Sequence, residues 1–107
     1  MKNDDVELIQ SILAGDDSAF SLLVEKYQAP IHELTLRKTG DARIAEEITE
    51  DIFLKVHQKL DMLKEPQGFE SWLHVIATRC CIDWLRKKRL ARQLFERPNT
   101  EPEAQSK

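Results

Sequence analysis

A long apolar stripe at helical spacing is the feature that most constrains the fold of this chain. On a helix of 3.6 residues per turn, one face of the segment 69–92 collects Phe69, Leu73, Ile76, Ala77, Cys80 and Trp84. Spacing of i, i+3, i+4 and i+7 is typical of a face that packs into a core. With only 3 Gly and 4 Pro among 107 residues, and no useful run of period-two alternation, the chain is predicted to be all-α.

The second half of this segment is cationic. Its basic residues, with one from the first half, are Arg79, Arg86, Lys87, Lys88, Arg89 and Arg92. The net charge of the chain is only -3, but the charges are unevenly distributed. Residues 1–78 have a net charge of -7, and residues 79–97 have a net charge of +5. This segregation indicates two partners of opposite charge, of which one is a polyanion.

Composition and cysteine spacing exclude several classes of protein. No run approaches the roughly 20 apolar residues of a membrane span. The early acidic residues of MKNDDVELIQ do not fit a signal peptide, so we expect a cytoplasmic protein. Cys80 and Cys81 are adjacent, and with His74 they do not match the spacing of zinc ligands. We therefore expect two reduced thiols, at least one of them buried, and no metal.

Capping residues divide the first part of the chain into two helices. Asp4 and Asp5 are predicted to cap a short first helix that ends at Gly15. The acidic segment 16–18 begins a second helix, which Pro30 is predicted to kink or restart. The residues predicted to share one core with the rest of the bundle are Phe20, Tyr27, Ile48, Ile52, Leu73, Ile76 and Trp84.

A third helix, about 42–60, is predicted between Gly40–Asp41 and a break at 61–68. Half of it is apolar, and most of the other half is acidic. Leu54 projects from the middle of the acidic half, among Glu46, Glu47, Glu50 and Asp51. Two interpretations stay open: a protein-docking patch, or a solvated face with one exposed leucine.

Four motifs in this order resemble the second conserved region of bacterial sigma factors, in particular the extracytoplasmic-function (ECF) group. They are DSAF at 17–20 running on to Tyr27, TGD at 39–41, AEEITEDIFLKV at 45–56, and FESWL at 69–73 with IA at 76–77 and DWLR at 83–86. The resemblance covers roughly residues 5–92. It implies a compact bundle of about four helices over residues 1–97. The polar, Pro-containing segment 98–107 is predicted to be a flexible tail that starts an interdomain linker.

The resemblance also implies a function and its partners. The chain would be a transcription initiation factor domain that binds core RNA polymerase and recognises and melts the promoter −10 element. The residues expected to dock on the clamp helices of the polymerase's largest subunit are Glu47, Glu50, Asp51 and Leu54. An anti-sigma factor would be a further partner.

The remaining site residues are those expected to bind promoter DNA, especially the single-stranded non-template −10 region. They are Lys64 and Gln67 in the loop, Trp72, and the cations Arg79, Arg86, Lys87, Lys88, Arg89 and Arg92. Trp72 lies at the edge of the apolar stripe, which favours core packing over stacking on DNA. Asp83 is expected to pair with Arg79 and Arg86.

The chain departs from the family pattern at three positions. It has Glu50 where the family often has Gln, His57 where an aromatic residue is usual, and Arg79 where Asn is common. A phosphate contact is therefore the expectation for Arg79. Complete members carry a second helical domain that residues 98–107 are too few to form, so we expect either an excised domain or an unusually short chain.

No catalytic set, phosphate-binding glycine loop or cofactor motif is recognisable, so we expect a non-enzyme without cofactors. Two alternatives remain at this point. A different helical DNA-binding regulator would not need the acidic face with Leu54. A pure protein-interaction bundle would not need the cations at 86–92.

Overall fold

The computed structural model of the chain describes residues 2–95. Within this range it contains four α-helices and no strand, which confirms the predicted all-α bundle. The helices are α1 (Lys2–Leu13), α2 (Asp17–Thr39), α3 (Ala42–Lys59) and α4 (Phe69–Phe95). Two single turns of 3-10 helix, Leu60–Met62 and Pro66–Gly68, lie between α3 and α4. The predicted tail at 98–107 lies outside the described residues.

Local capping sets the start of α2, the end of α2 and the start of α3 where the sequence predicted them. The side chain of Asp16 accepts hydrogen bonds from the backbone N–H groups of Ser18 and Ala19, at 3.0 and 3.3 Å. Gly40 ends α2 in the left-handed region, with φ at 73°. One residue later, Asp41 caps α3 by accepting from the N–H groups at positions 43 and 44.

One prediction about the first half of the chain is wrong, and one of the two alternatives predicted for Pro30 is excluded. Asp4 and Asp5 do not cap α1, because α1 begins at Lys2 and both residues lie in its first turn. Nor does α2 restart at Pro30. Buried leucine and isoleucine side chains on both sides of Pro30, including Leu23 and Ile31, hold one continuous helix against the core.

The core lies where the four helices meet, with α3 packed against both α2 and α4, and α1 against α2. Its largest fully buried apolar side chains are Phe69, Ile9, Leu23, Ile52, Leu60, Leu73 and Val56. The seven predicted core residues all belong to it. Ile48, Ile52 and Leu73 are buried, and the four larger or more peripheral side chains pack against its edge.

Three polar residues that the apolar pattern did not predict are also buried: Asp5, Thr35 and Thr49. Burial of polar groups is unfavourable unless they are hydrogen-bonded, and all three have partners on another helix.

Among the described helices, none is long and apolar enough to cross a membrane.

Candidate functional site

The acidic surface of α3 consists of Glu47, Glu50, Asp51 and Leu54. All four side chains are exposed, and Leu54 leaves 60% of its surface accessible. They share one face because Ile48, Ile52 and Val56 turn the opposite side of α3 into the core. The structure therefore brings together the four residues predicted to dock on polymerase.

Next to the acidic surface, a groove of about 1110 Å³ runs between α2 and α3. Its lining is apolar at Phe20, Val24 and Leu54 and acidic at positions that include Glu25 and Glu50. Leu54 and Glu50 thus belong to both features. Sequence reasoning missed the groove because α2 supplies half of it, and only the packing of α2 on α3 brings the two halves together.

His57 lines this groove, at a position where the family that the sequence resembles usually has an aromatic residue. Its imidazole ring contacts the ring of Phe20 edge-on, with centroids 4.7 Å apart and planes at 70°. Edge-to-face contact is the arrangement that aromatic pairs favour. The histidine therefore makes a ring contact between α3 and α2 of the kind that an aromatic side chain could make.

The loop 61–68 presents both of its predicted DNA-reading side chains to solvent. Lys64 and Gln67 are exposed. The segment is anchored at its ends by Leu60 and Phe69, which are 1% and 0% exposed. Within it, the N–H of Gly68 donates to the carbonyl of Glu65 at 2.8 Å. A loop fixed at both ends can hold polar side chains in one arrangement.

Trp72 lies one turn beyond the start of α4, at the rim of the core. Its ring is partly buried and tilted against that of Phe69, with centroids 5.9 Å apart. The core packing favoured by the sequence is therefore confirmed. Part of the ring stays accessible, four residues after the last residue of the loop 61–68.

The six predicted DNA-binding cations all lie on α4, and all are exposed: Arg79, Arg86, Lys87, Lys88, Arg89 and Arg92. Every described residue from Arg86 to Phe95 is exposed, so the last part of α4 extends beyond the core. Lys88 places its ammonium nitrogen 5.1 Å from the centre of the Trp84 ring. This extension carries a concentrated positive charge away from the bundle.

The predicted pairing of Asp83 with its neighbouring arginines is wrong. Over residues 4–95, no ion pair joins Asp83 to Arg79 or Arg86. All three side chains are exposed, and exposed ion pairs gain little over separate hydration. The two arginines therefore keep their side chains in solvent.

The two cysteines behave as the sequence predicted. Cys80 and Cys81 are free thiols, and both are buried. Burial raises the pKa of each thiol above its ordinary value. They act as small core residues of α4.

Sequence reasoning also missed a polar cluster, centred on the buried side chain of Asp5, that joins α1 to α2. The carboxylate of Asp5 accepts a hydrogen bond from the hydroxyl of Tyr27 and pairs with the ammonium of Lys26 at 2.5 Å. Asp5 is spaced i−4 from Ile9 and therefore lies on the apolar face of α1. That spacing was the available signal, and the prediction of a capping role obscured it.

The comparisons with known proteins all indicate the same family. The sigma-70 region 2 family matches residues 23–91. The ECF RNA polymerase sigma factor SigW of Bacillus subtilis is 33% identical over 81 residues, which cover 76% of this chain and 43% of SigW. The RNA polymerase sigma-H factor of Pseudomonas aeruginosa is 34% identical over 76 residues, or 71% of this chain and 39% of that protein.

A third relative is the ECF RNA polymerase sigma-E factor of Escherichia coli, 28% identical over 81 residues that cover 76% of this chain and 42% of the relative. The chain spans less than half the length of these three curated relatives. The matched region nevertheless includes most of α2, all of α3, the loop and most of α4. The chain therefore belongs to the sigma-70 family, in its extracytoplasmic-function group, through region 2.

Proposed function

We propose that this chain is a transcription initiation factor domain that binds core RNA polymerase and recognises and opens the −10 element of a promoter. Family membership supports this function, since the matched relatives are named as RNA polymerase sigma factors. The domain acts in the cytoplasm by binding, with no catalysis of its own. An anti-sigma factor that covered either binding surface would block it.

The acidic surface of α3 is the proposed polymerase-docking site. An exposed apolar side chain framed by charged groups has the form of an interface with an apolar centre and a polar rim. Carboxylates at Glu47, Glu50 and Asp51 would steer a basic partner and orient it, while Leu54 would lengthen the lifetime of the complex. The proposed partner is the clamp helices of the polymerase's largest subunit.

The loop 61–68 and α4 form the proposed DNA-binding site. Extruding a base from a duplex costs a few kcal/mol, which single-strand contacts must offset. Cations along the exposed extension of α4 can hold successive phosphates, and Arg79 can hold one nearer the loop. Lys64, Gln67 and the accessible part of Trp72 can then contact the bases.

The observation that carries the proposal is the exposure of Leu54 at the centre of a carboxylate cluster on α3. Its test is the double charge reversal Glu47→Lys with Asp51→Lys, titrated against immobilised core enzyme at two salt concentrations. We expect binding to be abolished, with helicity and thermal stability near wild type, because both side chains are exposed. Leu54→Ala should weaken binding more mildly, through faster dissociation.

A matched control separates docking from net charge. Glu7→Lys with Glu33→Lys makes the same charge change at exposed positions outside the acidic surface and the groove. This control should bind core enzyme like wild type. Wild-type affinity in the Glu47 and Asp51 double variant would place the docking face elsewhere and remove the main support for this function.

A further inference from the structure

Helix α1 packs beneath the proposed DNA-reading loop. It contacts both 3-10 turns, Leu60–Met62 and Pro66–Gly68, as well as α2. Ile9 of α1 is fully buried in the core. The placement of α1 therefore bears directly on the segment that carries Lys64 and Gln67.

A buried carboxylate fixes α1 in this position. Asp5 is only 4% exposed, and an unpaired charge at such a site would be strongly unfavourable. Lys26 and Tyr27, which follow it by 21 and 22 residues in the chain, both donate to it. The bond to Asp5 raises the pKa of Lys26, whereas burial and then the bond to Asp5 raise that of Tyr27. At neutral pH Lys26 is therefore a cation and Tyr27 a neutral phenol, and both donate to the side chain of Asp5.

The ring of Tyr27 connects the Asp5 hydrogen bonds on α1 to helix α4. It meets the ring of Phe69 edge-on, with centroids 5.4 Å apart and planes at 63°. Phe69 is the first residue of α4, is fully buried, and packs in turn against Trp72. A continuous set of contacts thus runs from Asp5 through Tyr27 and Phe69 to the far end of the loop 61–68.

We infer that Asp5 is a positioning residue for DNA reading: by holding Tyr27 against Phe69, it sets the placement of the loop 61–68 and Trp72. This inference rests on the function proposed above. The acidic surface lies on α3, which Ile48, Ile52 and Val56 anchor in the core, whereas α1 packs chiefly against α2 and the two 3-10 turns. Loss of the Asp5 contacts should therefore affect base discrimination and leave polymerase docking intact.

Positioning and general stabilisation have different signatures. Phosphate contacts hold a nucleic acid in place, whereas base contacts carry sequence discrimination and depend on accurate geometry. If Asp5 served only to stabilise the fold, its loss would weaken all binding in proportion to the folded fraction. If Asp5 positions the loop, its loss should lower the preference for one base sequence and leave the affinity for a homopolymeric strand unchanged.

The experiment uses the whole chain bound to core RNA polymerase. The probe is a randomised pool of single-stranded DNA about twelve nucleotides long, within the usual site sizes for single strands, which is sequenced after selection. Oligothymidine of the same length reports backbone affinity. Asp5→Asn removes the charge but keeps an oxygen acceptor, and Tyr27→Phe removes the hydroxyl but keeps the ring. Glu7→Gln, an exposed acid on the same helix, is the control.

We expect wild type and Glu7→Gln to enrich the same motif. Asp5→Asn and Tyr27→Phe should each lower that enrichment roughly tenfold, within the range that one base contact carries. Their affinities for core enzyme and oligothymidine should stay within about twofold of wild type, a change too small for the loss of a phosphate-binding side chain. If Asp5→Asn lowers the fraction of folded protein, the motif enrichment measured with Tyr27→Phe is the result that tests the inference.

Three results would overturn the inference. An unchanged motif in both variants would overturn the role of Asp5 and leave the proposed function standing. Equal loss of motif enrichment, oligothymidine binding and polymerase binding would reduce Asp5 to a stabilising residue. The absence of any motif in wild type would overturn the proposed function, and this inference with it.

Discussion

The hydroxyl oxygens of Thr35 on α2 and Thr49 on α3 lie 3.0 Å apart inside the core. Thr49 donates its one proton to the carbonyl oxygen of Ala45, 2.7 Å away, so its oxygen can accept from Thr35. The hydroxyl of Thr35 also lies 2.8 Å from the carbonyl of His32. This buried pair ties α2 to the helix that carries the acidic surface.

Replacing either threonine by valine should destabilise the protein. Thr35→Val or Thr49→Val removes the hydrogen bond between the two hydroxyls, while the remaining hydroxyl keeps a backbone carbonyl as its partner, so each change should cost about 0.5–1.5 kcal/mol. The double variant should cost less than the two single changes together, because the shared Thr35–Thr49 contact is lost only once. Urea unfolding of the four proteins in this cycle measures the coupling, and strictly additive costs would show that the two hydroxyls act separately.

Core substitutions should follow the observed burial. Ile48 is 4% exposed, so Ile48→Ala should lower the free energy of unfolding by roughly 2–5 kcal/mol. Ile76 is partly exposed at the edge of the core, so Ile76→Ala should cost less. Chemical denaturation gives both values. Changes under about half a kcal/mol at both sites, the level expected of surface substitutions, would contradict the described core.

Neutralising three cations on α4 should weaken single-strand binding and its dependence on salt. Arg86→Ala, Lys87→Ala and Arg89→Ala together should flatten the logarithmic salt slope by roughly 0.7 for each phosphate contact that is lost. The fold should survive because all three side chains are exposed. The measurement is fluorescence anisotropy of a labelled single strand across a salt series.

A control variant with the same change in net charge distinguishes direct phosphate contacts from the effect of the overall charge of the protein. Arg37→Ala, Lys38→Ala and Arg43→Ala together remove three exposed cations from α2 and α3. That variant should keep the wild-type salt slope. If the α4 variant also kept it, the cations of α4 would face solvent and not the nucleic acid.

Alkaline pH should destabilise the fold through Tyr27. Its pKa is raised from an ordinary value of 10.0, chiefly by burial and then by its bond to Asp5. The unfolded phenol therefore loses its proton first, so the stabilisation present below about pH 10 declines as the pH rises further. The raised pKa of Lys26 acts in the same direction.

Thermal melts between about pH 8 and about pH 11 test this expectation, since the range spans the ordinary tyrosine pKa. Tyr27→Phe should melt lower than wild type at neutral pH, because the buried carboxylate loses a donor. Its melting temperature should then fall less steeply with rising pH. Parallel curves for the two proteins would mean that ionisation of Tyr27 does not drive the alkaline loss.

The two thiols should resist modification in the native protein. Burial raises the pKa of both Cys80 and Cys81, and the thiolate is the reactive form. A thiol-specific chromogenic reagent at neutral pH should therefore react slowly with the folded chain and rapidly in urea. Fast native modification of both cysteines would contradict their burial.

Much of the fold was predictable because its signals are local. Apolar periodicity predicted the core face of α4, and the side chain of Asp41 predicted the start of α3, since both depend on residues within a turn or two. The grouping of Glu47, Asp51 and Leu54 on one face follows from the same helical period. Their role in docking stays a prediction, as does that of the α4 cations in binding DNA.

What the sequence determined by itself was therefore the helices, their apolar faces and the segregation of charge. Only the tertiary structure decided which polar groups are buried and which surfaces adjoin. Asp5 was predicted to be a cap because aspartate favours helix N-termini. Its actual partners lie 21 and 22 residues away, on a helix whose placement no local pattern specifies. The groove beside Leu54 likewise exists only where α2 and α3 meet. Such contacts depend on how helices pack, which the whole core sets at once.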